Sequence, residues 1–196
     1  MTAPNFRLID IENAADNFLK SYNPNFNLPI PIEEIVELKL NITIVVVPGI
    51  KQLLGIDAFI NSEFSQITID ERCYSNYPQR TRFSVAHEIG HFLLHKNWYE
   101  KFGPKTLDDY FEFHDNIDAE TYKYIEIQAS TFAGYLLVPR ILLEKQLEEK
   151  IGRTPRNENP EILFSVLPDL ADIFQVSGEV ILRRLQRDRL ISPISS

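Results

Sequence analysis

Apolar residues recur along this chain with a helical period in some stretches and a strand period in others, and the changes of period divide it into elements. Ile11, Ala14, Ala15, Phe18 and Leu19 fall on one helical face, so residues 9–20 are expected to form an amphipathic helix that stops before Pro24. Pro29 and Pro31 punctuate a loop, after which Ile32, Ile35, Val36 and Leu38 suggest a short second helix. The β-branched run NITIVVV closes at Pro48-Gly49 as a strand does, and GIDAFI and SQITID, parted by the polar NSEF, predict a hairpin. From Pro78 in a first turn, residues 79–96 contain no further proline and are apolar nearly all round, the pattern of a buried helix. The acidic, aromatic LDDYFEFHDNIDAE is expected to be a loop. Ile125, Ala129, Phe132, Ala133 and Leu136 then predict a helix over 119–136, interrupted by Pro139. A helix over 140–150 should end at Gly152, RTPRNENP has a linker's composition, and a compact helical tail follows from 161. No internal repeat or low-complexity tract interrupts this order.

Composition narrows the class without naming it. A chain of 196 residues, 44% hydrophobic and 24% charged, has the globular balance needed to bury one core and a small appendage. No stretch reaches the roughly 18 consecutive apolar residues of a membrane helix; the strongest run, Ile42 to Val47, is strand-length and contains Thr43. The first twenty residues carry neither a basic leader nor an apolar core, which sets the expectation of a cytoplasmic protein. Cys73 is the only cysteine, so no internal disulfide can form. A net charge of -8 disfavours broad contact with a phosphate backbone.

The chemistry concentrates in HEIGH, residues 87–91, on the buried helix. Residues four apart lie one turn above each other, so His87 and His91 can offer imidazole nitrogens to a single ion, while Glu88 is swung about 100° round. Two histidines holding Zn2+ with the glutamate as general base on an activated water is the mechanism this spacing serves, and it makes amide hydrolysis feasible at neutral pH. An accidental pattern on a wet helix face would leave three polar groups among apolar neighbours, at about 1 to 3 kcal/mol for each left unpaired. Gly90, in mid-helix, implies a close approach by backbone or substrate.

His95 continues the series but cannot share the ion, because eight residues of helix rise about 12 Å; it reads as a residue packed behind the ligands. A third histidine six residues past the second is also missing, since Leu94 and Asn97 occupy the glycine and histidine positions of that longer motif. Candidates for the third ligand are His114, Asp118, Glu120 and Glu126. Of these, Glu126 alone lies well inside a helix whose face explains it: Ala129 and Ala133 are small enough to let that helix approach the motif helix closely.

RTRFSVAHEIGHFLLH followed by EIQASTFAGYLLVP resembles the ImmA/IrrE family of zinc metallopeptidases, whose pattern pairs R-F-x-x-A-H-E-x-G-H-x-x-x-H with E-x-x-A-x-x-F-A-x-x-L-L-x-P. The resemblance spans about residues 28–145. It implies that His87, His91 and Glu126 are zinc ligands and Glu88 the catalytic glutamate. It also implies an intracellular regulator that relieves repression by cleaving a helix-turn-helix repressor encoded nearby, in a prophage, mobile element or stress response. Direct sensing through the large C-terminal domain of the radiation-response branch is not expected of this chain of 196 residues. The expected fold is therefore α+β: a zincin-like metallopeptidase domain over 1–151, with a small N-terminal mixed sheet and a buried HEXXH helix, and a helical tail over 152–196 packed on it.

In the tail, LADIFQVSGEVILRRLQRDRLI reads as two helices about a turn at 176–178, with Ser177 as N-cap and Arg183, Arg184, Arg187 and Arg189 on the second. Against Asp172, Glu179 and Asp188 those arginines leave a balance of only +1 over 170–196, so packing or repressor docking is favoured over DNA reading. The rival readings are a DNA-binding regulator acting through 170–190, or a non-proteolytic protein-binding module such as a toxin–antitoxin partner, which would have no need of Glu88. For the transition-state stabiliser the sequence offers His114, Tyr99, Tyr110 and Tyr135. SQITID is expected as an edge strand beside the cleft, with Ile67, Thr68, Ile69 and Asp70 pairing with an extended substrate.

Overall fold

The computed structural model describes residues 4–153 and 160–191. Its centre is a pair of helices, α5 (Pro78–Leu94) and α8 (Ala119–Leu137), packed along most of their length. α5 starts on Pro78, where the missing N–H would have had no partner in any case. The two backbones come unusually close: a Cβ added to Gly90 would lie 2.9 Å from the Cα of Ala129 and 3.0 Å from its carbonyl oxygen. Glycine on one helix facing alanine on the other is thus what brings side chains of α8 within reach of the motif on α5.

Around this pair run α1 (Leu8–Tyr22), which packs on α8 through Ile11, Ala15, Phe18 and Leu19, and the short α2 (Ile32–Leu38) against α5. Arg82 on α5 ties three segments together: its guanidinium donates to the carbonyls of Ile30 and Gln175 and meets Glu33 of α2 at 3.1 Å. The sheet has strand order β1 (Thr43–Val47), β3 (Gln66–Asp70), β2 (Ala58–Ile60). β1 is parallel to β3, linked through α3 (Ile50–Leu54), and β2 with β3 forms the expected hairpin.

That order corrects the substrate-strand expectation. Ile67, Thr68, Ile69 and Asp70 belong to the middle strand, bonded on both sides and buried, so they have no free edge for a peptide. Asp70 is occupied as well: its carboxylate caps α4 (Glu71–Asn76) by accepting from the Cys73 N–H and accepts a second bond from the Lys51 N–H. The edge beside α5 is β2. Alternation looked the same in both strands of the hairpin, and the parallel pairing of β1 decided which of them was covered.

The stretch expected as a loop is instead α7 (Leu107–Asn116), and it follows α6 (Lys96–Phe102). Thr106 accepts from the Asp109 N–H while the Asp109 carboxylate accepts from the Thr106 N–H, and Tyr110 and Phe113, three apart, are buried on one face. The acidic residues that suggested a loop are its first-turn charges and its wet side. α9 (Arg140–Ile151) ends at Gly152, whose φ of 73° is the left-handed conformation glycine tolerates best.

In the tail, α10 (Pro160–Phe174) and α11 (Gly178–Arg187) turn about Ser177, whose hydroxyl accepts from the Val180 N–H. α11 contacts the end of α8: the Arg184 Nε donates to the Val138 carbonyl at 3.0 Å and its guanidinium lies 4.2 Å from the centre of the Tyr135 ring. Arg184 is 1% exposed and so is withdrawn from any basic surface the helix could present to DNA. Among the described residues no helix is long and apolar enough to cross a membrane.

Candidate metal centre

α5 and α8 bring His87, His91 and Glu126 together. The His87 and His91 Nε2 atoms are 3.0 Å apart, and they lie 3.2 and 3.3 Å from the two Glu126 carboxylate oxygens. Ligand atoms held about 2.0 to 2.1 Å from one tetrahedral ion are separated by about 3.3 Å, so these separations are close to the edges of such a coordination shell. Two imidazole nitrogens and a carboxylate turned on one point carry more lone pairs than protons, and a divalent cation answers that excess. Among the described residues this is the cluster of His, Cys, Asp and Glu able to hold a metal.

The far side of each imidazole is also engaged. His87 Nδ1 lies 3.1 Å from the Ser130 hydroxyl, and His91 Nδ1 lies 3.1 Å from Nδ1 of the fully buried His95. His95 reaches Gln128 Oε1 at 3.1 Å through its Nε2. Ser130 and Gln128 were not singled out from the sequence. Ser130, one turn after Glu126 on the face marked by small residues, carried a readable signal; Gln128 did not, because its partner is the third histidine.

Charges are strongly coupled here. Burial disfavours a charged His87, but attraction to Glu126 and a hydrogen bond donated to its carboxylate outweigh that and raise the imidazole to about 9. Burial likewise disfavours the ionised Glu126, yet His87 and His91 hold its carboxyl far below the usual range. Burial, with His91 alongside, drives His95 down to about 3, so that ring is neutral. Glu88 is 4% exposed, and burial raises its carboxyl above the usual range. Its Oε2 accepts the Ile60 N–H of β2 at 2.8 Å. In the antiparallel ladder Ala58 and Ile60 direct their peptide groups away from β3, so Glu88 is fixed by the open edge of the sheet.

A cavity of about 230 Å³ lies over the cluster, lined by His87, Glu88, His91, Glu126, Tyr99 and Tyr110, with residues 57–59 of the β2 segment on one wall. A larger groove of about 880 Å³ between α8 and the tail meets it at Phe83 and Glu126. Tyr99 lies against the His91 ring, centroids 4.8 Å apart, and the Tyr110 hydroxyl is 3.3 Å from that of Tyr122. Burial raises both the Tyr99 and Tyr110 phenols, so each keeps its proton.

The remaining candidates lie elsewhere. His114 is exposed on α7 and its ring meets Tyr122 outside the cavity lining. Tyr135 faces Arg184 at the far end of α8. Asp118 caps α8 by accepting from the Thr121 N–H, and Glu120 is in that helix's first turn. Exposure and helix phase, neither legible from residue type, remove these four.

The family model Peptidase_M78, described as the IrrE N-terminal-like domain, matches residues 59–186. No curated protein matches the chain. Among solved structures, a Mycobacterium tuberculosis transcriptional regulator is similar with a TM-score of 0.57 and 16% identity, over 90% of this chain and 46% of that one. At that identity the likeness is one of fold, and the chain spans about half the length of the regulator.

Proposed function

The chain belongs to the Peptidase_M78 family of IrrE N-terminal-like domains, and from that premise we propose that it is a zinc-dependent endopeptidase acting on a protein substrate, a helix-turn-helix transcriptional repressor encoded nearby. The observation that carries the reading is the placement of Glu88: a buried carboxylate one residue from a ligand-grade histidine, lining the same cavity and anchored by one oxygen to the Ile60 N–H. A site kept only to hold metal has no need of it.

His87, His91 and Glu126 would hold the ion, and the ion supplies Lewis acidity, which lowers the pKa of water to about 7. Glu88 takes the proton of the attacking water as its oxygen adds to the scissile carbonyl, and passes that proton to the departing amine nitrogen. Burial suits it to both acts, because a carboxyl raised toward neutrality accepts and returns a proton at similar cost. Tyr99 and Tyr110, both protonated and lining the cavity, are the phenols available to the developing oxyanion. The cavity and the groove meet at Glu126, which leaves room for chain on both sides of the scissile bond and favours an endopeptidase. The repressor as substrate rests on the motif resemblance, and the regulator named among similar folds is compatible with a role in transcriptional control.

The test is Glu88→Gln, an isosteric change that leaves the ligands in place. Wild type and variant are loaded with zinc, assayed for metal content, and incubated with the adjacent gene product. Equal metal with cleavage lower by about 10² to 10⁴-fold is expected; equal cleavage by both would remove Glu88 from the mechanism.

A further inference from the structure

Behind His91, on the side away from Glu126, a chain of hydrogen bonds runs through two buried side chains, His95 and Gln128, to the N-terminal segment. Its far end fixes all the rest. Gln128 meets the Pro4 carbonyl oxygen at 3.2 Å, and a carbonyl only accepts, so the amide nitrogen of Gln128 must face it. The Gln128 oxygen is then the atom 3.1 Å from His95 Nε2, which must carry a proton. A neutral His95 protonated at Nε2 presents a lone pair at Nδ1, and this accepts from His91 Nδ1 at 3.1 Å. His91 consequently carries its proton on Nδ1 and leaves Nε2 bare, facing His87 and Glu126.

We propose that His95 and Gln128 are positioning residues that hold His91 in the Nδ1–H tautomer with Nε2 presented to the metal, and that the Pro4 carbonyl sets the direction of the whole chain. The proposal rests on the metal-binding reading above and goes beyond it. It assigns the third histidine and a glutamine on α8 to the orientation of one ligand, and it makes the N-terminal segment part of the metal centre. Water has little access to replace these partners, since His95 and Gln128 are 0% and 5% exposed and the Phe6 ring lies 6.3 Å from that of His95. α8 therefore serves α5 three times over: Glu126 as a ligand, Ser130 behind His87, and Gln128 behind His91 through His95.

Two substitutions at Gln128 separate orientation from packing. Gln128→Leu keeps the bulk and removes the acceptor, leaving the His95 N–H without a partner, whereas Gln128→Glu keeps an acceptor for it. Zinc affinity is read by chelator competition, the geometry of the site by the visible spectrum of the cobalt form, and the fold by melting of the metal-free protein. Gln128→Leu should weaken zinc by about 10- to 100-fold with a changed cobalt spectrum, and Gln128→Glu should stay close to wild type. His95→Leu, which breaks the chain one link nearer the metal, should match Gln128→Leu. Long-range 1H–15N spectra of the metal-free wild type give a readout that needs no metal: His95 protonated at Nε2, His91 at Nδ1. The opposite tautomers, equal affinity in all variants, or equal weakening by Gln128→Leu and Gln128→Glu would each overturn the proposal. If wild type itself fails to hold zinc, the metal-binding reading falls first and takes this inference with it.

Discussion

Two buried clusters of charge sit on α8 about two and a half to three turns apart, and they do opposite things. Near its middle, Glu126 faces His87 and His91, with lone pairs converging on one point. At its end, Tyr135 and the Val138 carbonyl receive Arg184, which lies 2.8 Å from Asp188 without hydrogen-bond alignment. Both clusters are shielded from water, and in both burial pushes against the charged forms. The difference is one of complementarity. Arg184 meets a carbonyl through Nε, a π-face and a carboxylate of opposite charge, so the charges balance and the cluster anchors α11, although Nη1, Nη2 and the Asp188 Oδ2 make no aligned hydrogen bond. The cluster at Glu126 is acceptors facing acceptors, completed only by a proton or a cation, and it borders a cavity. Burial of charge alone does not mark a functional site; burial of an unbalanced set of lone pairs beside open space does.

The sharpest way to break that comparison is Arg184→Leu. It leaves the Asp188 carboxylate buried beside an apolar group, and loss of one partner from a buried ion pair costs about 3 to 5 kcal/mol. Thermal or denaturant unfolding should show a loss of that size, with zinc affinity per folded molecule unchanged. A large fall in affinity with little change in stability would mean that the two clusters are not independent.

The converse change, Glu126→Ala, should reverse the signature. Zinc affinity is expected to fall by more than the roughly 10- to 100-fold typical of residues that only support a ligand, since a charged ligand is itself removed. Metal analysis after mild chelation, with His114→Ala and Glu120→Ala alongside, checks it. Those two should keep their metal, and if either loses zinc while Glu126→Ala retains it, the ligand set is wrong.

The smallest effect is in the pH dependence. In the metal-free protein His87 is raised to about 9 by Glu126, against about 6.5 when unfolded. A raised histidine stabilises the fold fully below pH of about 6.5 and loses that contribution as pH climbs through about 9. Glu126, depressed, contributes above the ordinary carboxylate range and would lose its share only in strong acid. Zinc must displace the His87 proton, so affinity should rise by about tenfold per pH unit between 7 and 9 while metal-free stability falls over the same interval. Competition titrations across that range, beside melts of the metal-free form, measure both; affinity flat with pH would mean His87 is already neutral.

Much of the geometry of the candidate metal cluster was legible because it is local. The four-residue spacing of His87 and His91 is a property of any helix, and the alanines at 129 and 133 announced a close approach that Gly90 completes. Ser177 as a cap and Gly152 as a stop are equally local, set by a hydroxyl and by a missing Cβ. α7 was misjudged because acidic composition was weighed above the cap at Thr106 and the Tyr110–Phe113 spacing, both of which stand in the sequence.

What lay beyond the sequence is whatever depends on which surfaces meet. Hydrophobic alternation determined that 58–60 and 66–70 are strands, but β1 took one edge of β3 and left β2 as the edge strand beside Glu88. Residue type allowed His114, Tyr99, Tyr110 and Tyr135 equally, and helix phase brought two to the cavity while sending the others away. The sequence by itself determined which side chains on the motif helix could share one metal ion, because that follows from backbone periodicity. The direction of the hydrogen bonds behind His91 and the identity of the free edge were decided only by the tertiary structure, because each depends on a partner far along the chain: Pro4 is 124 residues from Gln128, and Ile60 is 28 from Glu88.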